Sequence, residues 1–458
     1  MELGRRLRDR VGLGRIQRYL GALAALLALL AAPPAWSVPA FARATGVPCS
    51  VCHTVAFGPA LTPYGRNFKL HAYATGTQKT IPLSADLVAS FTHTSVDQPP
   101  VPHGSANDNF AIDSIDAFFA GKIVDHVGAF AQVNYDGIAR HTSWSALDLR
   151  YAQDFAPGGV DTLLGLSVNN NPTVQDPWNS TPAWQFPYPF PRFTNGPSAL
   201  PQIDGLFAQQ VLGATVYTLI DNIVYLEGGA YRRVGDDLLQ HLGVSDPQDL
   251  PRIDGSAPYW RAALQKTSGS HYASVGLLGF SAHTQFPPTN PSTNNYSDFG
   301  YDATYQFSDG GPHTFNLDAI YVHENQRLFA TALAAASDQL VANHLDTLNV
   351  SAQYGFQQTY SLTVAYFNSV GDMNPALFGP GPLFGSANGK PDSRYLRFQL
   401  EYVPFGKATS PPRPWLNLRL GVQYTDFLRL NGGDSNYDGF GHSARDNNAV
   451  FVYVWTAL

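Results

Sequence analysis

The sequence predicts an all-β protein, a transmembrane β-barrel of about 16 strands. Only 14% of the residues are charged, against roughly 25% in soluble proteins, while aromatic residues make up 13%. Beyond residue 80, segments of about ten residues alternate apolar and polar side chains. Strands that face lipid on one side and a lumen on the other require this pattern. A soluble sandwich also alternates, but the low charge and the aromatic residues at segment ends favour the barrel.

The alternation is clearest near the C-terminus. One face carries Leu416, Leu418, Leu420, Val422 and Tyr424, and the other carries Asn417, Arg419, Gln423 and Thr425. Sixteen such strands are predicted, an even number as in bacterial barrels, at 85–95, 110–123, 129–137, 144–154, 161–168, 206–219, 223–232, 258–267, 271–283, 296–307, 312–325, 344–355, 359–368, 393–403, 414–427 and 445–456. Short and long connections mostly alternate, which predicts short periplasmic turns, long external loops such as 169–205, and both termini in the periplasm.

The N-terminus predicts export. Six Arg precede an apolar run from Leu20 to Ala32, which is too short to span a bilayer, and Ala40-Phe41-Ala42 offers a cleavage site, with Ala35-Trp36-Ser37 as a second option. Residues 1–42 are therefore predicted to be a signal peptide, the alternative being an uncleaved anchor. The chain has a net charge of −7 and the signal peptide is basic, so the rest is more acidic still. This balance argues against nucleic acid as a partner.

Both cysteines lie in one motif, Cys49-Ser50-Val51-Cys52-His53. C-x-x-C-H is the attachment pattern of c-type haem, in which two thiols bond the haem and the histidine becomes the proximal iron ligand. A redox-active cysteine pair and half of a zinc site are the alternatives. Zinc would need more thiolates than the chain has, and a redox pair would need a βαβ context. The motif thus predicts one covalently attached haem c on Cys49 and Cys52, with His53 on the iron.

The haem region is too short to fold by itself. Fewer than forty residues, 43–80, separate the signal peptide from the predicted barrel at 81–458, and such a segment cannot bury a sufficient core. We expect it to plug the lumen of the barrel. Phe57, Tyr64, Phe68 and Tyr73 could cover the porphyrin faces, and Arg66 and Lys69 could meet its propionates; ordinary core and surface roles are equally compatible with these residues.

Several stretches resemble the fused monohaem cytochrome c–porins of Gram-negative outer membranes, whose best-known members are iron(II) oxidases. They are Phe41–Gly46, Cys49–His53, Leu61–Leu70, Asn169–Trp178 and Pro182–Trp184. The resemblance covers a small part of the chain. It implies an outer-membrane protein that oxidises extracellular Fe(II) and passes the electrons to a periplasmic c-type cytochrome.

Three classes of function remain open at this stage. The first is an iron(II):cytochrome c oxidoreductase embedded in outer-membrane lipid, the second a solute porin with a structural or regulatory haem, and the third a haem-bearing sensor or adhesion module. Acidic pairs in the predicted long loops, Asp434 with Asp438 and Asp236 with Asp237, could guide Fe²⁺, although loops are ordinarily polar.

The second axial ligand of the iron has one candidate within the haem segment. Met373 falls in a predicted external loop, far along the chain from the haem motif. His71 is the only other histidine in the haem segment, so it is the distal candidate, with water or a barrel histidine such as His93 as the alternatives. Two imidazoles would lower the reduction potential relative to histidine and methionine.

Overall fold

A computed structural model describes residues 40–76, 82–99, 103–247, 250–285, 292–335, 341–410 and 416–458. Most of the predicted signal peptide therefore lies outside the described residues. Among the described residues, no helix is long and apolar enough to cross a membrane.

Sixteen long strands form one closed antiparallel sheet. They are β1 Leu83–Thr94, β2 Asn109–Val124, β3 Val127–Asp136, β4 His141–Phe155, β5 Thr162–Asn169, β6 Val211–Ile220, β7 Val224–Arg233, β8 Ala257–Ser268, β9 His271–Gln285, β10 Asn294–Ser308, β11 His313–Arg327, β12 Ala342–Phe356, β13 Tyr360–Gly371, β14 Ser393–Tyr402, β15 Asn417–Arg429 and β16 Ala449–Ala457. A two-residue strand, Arg252–Ile253, extends the edge of β9. Because β1 pairs with both β2 and β16, the ring closes and no long strand has a free edge.

The predicted barrel is confirmed, strand by strand. All sixteen predicted segments coincide with long strands, and the ends differ by at most a few residues. The largest shift is at β6, which begins at Val211 rather than at residue 206, because the preceding residues form turns inside the barrel.

The barrel is apolar outside and polar inside. On β15, Val422 and Tyr424 are 48% and 41% exposed, whereas Arg419 and Gln423 on the opposite face are buried. The same alternation recurs around the ring, so the outer surface carries an apolar band and the lumen holds most of the buried charges. This arrangement reverses that of a soluble protein and matches the requirements of a bilayer.

Connections differ in length between the two ends of the barrel. At one end, here called the short-turn end, β2 and β3 are joined by residues 125–126, and β8 and β9 by residues 269–270. The other end, the long-loop end, carries 95–108, 372–392 and 430–448. The chain enters β1 and leaves β16 at the short-turn end. Two short helices, Asp236–His241 and Phe329–Ala335, lie in long connections, and 3₁₀ turns occur at Pro157–Gly159, Pro182–Trp184 and Ala444–Asn447.

The N-terminal segment lies inside the barrel. This plug segment, residues 40–76, has three short helices, α1 Ala40–Thr45, α2 Cys49–Cys52 and α3 Pro63–Leu70. Its polar backbone is bonded by side chains of the wall: Tyr217 donates to the carbonyl of Leu70 at 2.6 Å, and Gln306 donates to that of Leu61 at 2.8 Å. The plug segment thus obtains from the lumen the core that its own length cannot provide.

The connection between β5 and β6 also folds inward. Residues 170–210 are here called the lumen loop. The sequence predicts an external loop at 169–205, and that expectation is wrong, because this connection turns into the lumen. The backbone N–H of Gln202 donates to Glu324 at 2.7 Å, and that of Ile203 donates to Asp298 at 2.7 Å. Buried carboxylates on the lumen wall need hydrogen-bond donors, and the lumen loop supplies them.

Arg419 joins the plug segment to the wall, which gives a first prediction. Its guanidinium donates to Glu401 at 2.9 Å and to the carbonyls of Val55 and Phe57, and it stacks on the Phe57 ring with its Cζ 4.7 Å from the centroid. Arg419→Met leaves the buried Glu401 without its cation, which should destabilise plug docking by about 3–5 kcal/mol. We expect faster proteolysis of residues 54–58 in the intact barrel.

Arg232→Met is the matched control, because Arg232 is exposed on the outer face of β7. It should leave the proteolysis rate unchanged. Equal rates in Arg419→Met and the wild type would show that this arginine does not hold the plug segment.

Candidate functional site

The C-x-x-C-H motif is built on two helices that pack at a glycine. Cys49 and Cys52 begin and end α2, so they share one face of a single helical turn. Thr62 caps α3 by accepting the N–H of Gly65 at 3.2 Å, and Pro63 occupies the first turn. A Cβ at Gly65 would lie 2.2 Å from the carbonyl oxygen of Cys52, so only glycine allows this approach.

All three motif residues face one cavity in the middle of the lumen. This central cavity has a volume of about 1090 Å³, at the upper end of the range for cofactor sites. Cys49, Cys52 and His53 lie at its wall on the plug side. The rest of its lining is rich in aromatic side chains, contributed by the plug segment, the lumen loop and the barrel, among them Phe41, Phe57, Phe68, Tyr73, Trp184, Phe186, Tyr188, Tyr395 and Trp455.

The residues present fit a covalently bound haem. Neither cysteine forms a disulfide. His53 Nδ1 is buried without a hydrogen-bond partner, and burial lowers the pKa of His53 to about 4, so the imidazole is neutral as an iron ligand must be. An apolar, aromatic cavity of sufficient volume beside two thiols and a neutral imidazole is the environment that haem c requires.

The two alternatives for the cysteines fit less well. Burial, with Cys49 nearby, raises the pKa of the Cys52 thiol to about 12, whereas redox-active C-x-x-C pairs have lowered thiol pKa values. Within the described residues, no group of three or more His, Cys, Asp or Glu side chains is arranged to hold a metal ion. Cys49, Cys52 and His53 are therefore not arranged around one zinc ion.

The structure separates the other predicted haem contacts into two sets. Phe57, Phe68, Tyr73 and Lys69 line the central cavity. Lys69 Nζ, however, is bound by the carbonyls of Val174 and Asp176 and by Asn179, at 2.6–2.8 Å, so it ties α3 to the lumen loop.

Arg66 and Tyr64 lie away from the central cavity. Arg66 donates to Leu61 and Gln306, and its Cζ lies 3.7 Å from the Tyr272 ring centroid, which makes it a link between plug and wall. Tyr64 lines a smaller cavity of about 340 Å³, here called the rim cavity, bounded by residues 269–270 and Ser308 at the short-turn end. His53 lines both cavities, so it lies between the central cavity and the short-turn end.

His71 lies outside the central cavity. It caps the C-terminus of α3, with Nδ1 2.7 Å from the carbonyl oxygen of Asn67 and Nε2 3.3 Å from Asp154. All thirteen histidines fall within the described residues, and of these only His53 lines the central cavity. Met373 is 60% exposed in the connection 372–392. Distal ligation by His71 stays a prediction, and this geometry does not favour it.

Sequence reasoning missed two contributors to the central cavity. One is the lumen loop, which supplies Trp184, Phe186 and Tyr188. The run of Pro and aromatic residues from 182 to 191 could have indicated a packed segment rather than an external loop. The other is a set of acidic side chains on β1 and β2, Asp86, Asp113 and Asp116.

No protein-family model and no curated protein matches the chain. Among solved structures, it is similar to OmpF of Salmonella typhi in complex with daunomycin (13% identity, 82% of this chain and 96% of that chain, TM-score 0.46). It is also similar to in-vitro folded OmpT of Vibrio cholerae (8% identity, 82% of this chain and 96% of that chain, TM-score 0.44). A third similar structure is the anion-selective porin of Comamonas acidovorans (12% identity, 82% of this chain and 97% of that chain, TM-score 0.44). The function is therefore argued from the site.

Asp204, a buried carboxyl on the lumen loop beside the central cavity, leads to the prediction that docking of this loop depends on pH. Burial raises the pKa of Asp204 to about 7, opposed by a hydrogen bond from Gln185 at 3.1 Å. Between about pH 4 and pH 7 the docked loop thus binds more protons than the undocked one, so docking weakens as the pH rises. Asp204→Asn should remove this dependence. The rate of proteolysis within residues 170–210 is measured for the variant and for the wild type at each pH, and the ratio of the two rates should change between about pH 4 and pH 7.

The exposed Asp161→Asn serves as the control and should leave that ratio constant. A ratio for Asp204→Asn that does not change between about pH 4 and pH 7 would contradict this role of Asp204.

Proposed function

We propose that this chain is an outer-membrane electron-transfer protein that holds one haem c in its lumen, takes electrons from extracellular Fe(II) and passes them to a periplasmic c-type cytochrome. The observation that carries the proposal is the convergence of Cys49, Cys52 and His53 on one aromatic cavity inside a closed barrel. Haem c, when bound there, supplies a one-electron couple.

The barrel's surface and connections support this location. Its apolar outer band fits lipid, and bacterial outer-membrane barrels place short turns in the periplasm and long loops outside. In that orientation both termini are periplasmic. A signal peptide at residues 1–42 would deliver the chain to the compartment where haem c is attached.

The position of the site suits electron transfer across a membrane. The bilayer core is about 30 Å thick, too far for a donor and an acceptor on opposite sides to meet. His53 lies between the central cavity and the rim cavity, which reaches the short-turn end beside the exposed Tyr64. We infer that the periplasmic acceptor approaches at the rim cavity. One electron leaves Fe²⁺, giving Fe³⁺, so the electron crosses the membrane and the iron does not.

The protein's own residues would position the group and exclude water from it. Arg419 and Gln358 hold the backbone of residues 54–57, directly after the haem ligand His53. Trp184, Phe186 and Tyr188 of the lumen loop cover the cavity. A buried haem with fixed surroundings reorganises little during electron transfer.

A solute porin with a structural or regulatory haem is the second candidate, because the barrel alone would suit a channel. The plug segment and the lumen loop both occupy the lumen, which argues against a wide open pore. Low single-channel conductance in a planar bilayer supports the electron-transfer function, and porin-like conductance supports the alternative.

The proposed function is tested by mixing Fe²⁺ with the oxidised, haem-loaded protein under anaerobic conditions in a stopped-flow instrument. We expect reduction of one haem per chain, faster than that of a bystander c-type cytochrome. Cys49→Ala with Cys52→Ala should abolish covalent haem in a pyridine haemochrome assay. Wild-type protein without covalent haem, or with a haem that Fe²⁺ reduces no faster than the bystander, would refute the proposal.

The distal ligand is tested by His71→Ala. Because both ring nitrogens of His71 are engaged outside the cavity, we expect the spectrum of the oxidised haem to be unchanged. His93→Ala is the matched control, since His93 lies on the outer face of β1 and pairs with Asp108. A change from a low-spin to a high-spin spectrum in His71→Ala alone would establish His71 as the ligand.

A further inference from the structure

Helix α1 begins inside the stretch that the sequence assigns to the signal peptide. The predicted boundary lies after residue 42, whereas the helix comprises Ala40–Thr45 and belongs to the plug segment. Ala40 is buried against Phe118 and Ala120 on the lumen side of β2. Residues 40–42 therefore form part of the folded interior of the barrel.

Phe41 places an aromatic ring on the wall of the central cavity. The ring stacks on Tyr73 with the two centroids 5.3 Å apart, and it meets Phe68 edge to face at 5.0 Å. Aromatic pairs in these arrangements are stabilising beyond the area that they bury. Because Tyr73 also donates to Asp148 of β4 at 2.6 Å, the stack connects α1 to the barrel wall.

The backbone of residues 41 and 42 accepts hydrogen bonds from the residues that follow. The hydroxyl of Thr45 donates to the carbonyl of Phe41 at 2.7 Å, and the N–H of Gly46 donates to the carbonyl of Ala42 at 2.8 Å. Cleavage after Ala42 would remove both acceptors. It would also leave only three residues of α1, which is less than one helical turn.

Cleavage after Ala42 would also create a charged α-amino group at a buried position. Arg43 is only 3% exposed, and its guanidinium donates to the carbonyl of Leu83, at the start of β1, at 2.5 Å. An α-amino group has a pKa of about 8, so it is charged at neutral pH, and burying a charge without a partner is costly. The folded plug segment thus disfavours a mature chain that begins at Arg43.

We propose that the signal peptide is removed at or before the bond between Ala40 and Phe41, and that Phe41 stays in the mature protein as a wall residue of the central cavity. The step is hydrolysis of one peptide bond, in which water leaves a carboxylate on the released signal and an α-amino group on the mature chain. Signal peptidases require small residues just before the cut. The second option in the sequence, Ala35-Trp36-Ser37, lies outside the described residues and leaves residues 40–42 in place.

Retention of Phe41 gives the central cavity an aromatic residue that the sequence assigns to a discarded segment. Phe41, Phe68 and Tyr73 then form one aromatic cluster on the plug side of the cavity. This inference goes beyond the proposed function and does not rest on it, because the contacts of Phe41 are made within the chain and need neither haem nor iron. When haem c occupies the cavity as proposed, the same cluster forms part of its apolar surroundings.

The first test determines the N-terminus of the mature chain. The full-length protein is exported in a Gram-negative host, purified from outer membranes, and analysed by intact-mass spectrometry and N-terminal sequencing. We expect a chain that lacks the apolar run Leu20–Ala32 and begins at or before Phe41; cleavage at the second option would make Val38 the first residue. A chain that begins at Ala42 or later, or that still contains the apolar run, would overturn the proposal.

The second test concerns the ring itself. Phe41→Ala should speed proteolysis within residues 43–47 of the intact barrel by about tenfold or more, because α1 loses its aromatic contacts. Phe110→Ala is the matched control: it removes a ring that is 74% exposed on the outer face of β2 and pairs with Phe91, and it should match the wild type. A wild-type rate in Phe41→Ala would overturn this role of the ring. If Phe41→Ala forms no barrel, which loss of heat-modifiable gel mobility reveals, Phe41→Leu is compared with Phe110→Leu in the same way.

Discussion

The closed ring of strand pairing is the constraint on which the rest of the structure depends. Because β1 bonds both β2 and β16, the backbone is satisfied within the ring, and one face of every strand is free to be apolar. The other face then encloses a lumen in which charged side chains need partners. The plug segment and the lumen loop are those partners, and Arg419 and Tyr217 of the wall bind plug carbonyls that would otherwise be unsatisfied.

This mutual dependence of the plug segment and the barrel wall explains how so short a segment can adopt one fixed conformation. Haem would contribute apolar surface, but residues 40–76 contribute too little of their own to fix its position. Contacts with the wall fix the position of the plug segment. Tyr73 donates to Asp148 at 2.6 Å, and Arg150 donates to both Asp148 and the carbonyl of Lys69. The orientation of His53 is therefore determined by residues distant in sequence.

The sequence was sufficient to predict the barrel and the motif, but not the contents of the lumen. Alternation such as that of residues 416–425 has a period of two, which specifies a strand and its outward face without tertiary information. The inward fold of the lumen loop depends instead on contacts of Gln202 and Ile203 with carboxylates more than ninety residues away. The inward position of Asp113 was also missed, because a β-bulge in the pairing of β1 with β2 shifts the alternation by one residue there.

The lumen also shows how the fold satisfies carboxylates that it buries. Asp176 accepts the N–H groups of Trp178, Ser180 and Thr181 and faces Arg261, so its charge stabilises the lumen loop. Glu401 is satisfied in the same manner by Arg419 and Tyr453. Each of these carboxylates would be costly to bury without its partners, so the enclosed lumen and the segments folded into it stabilise each other.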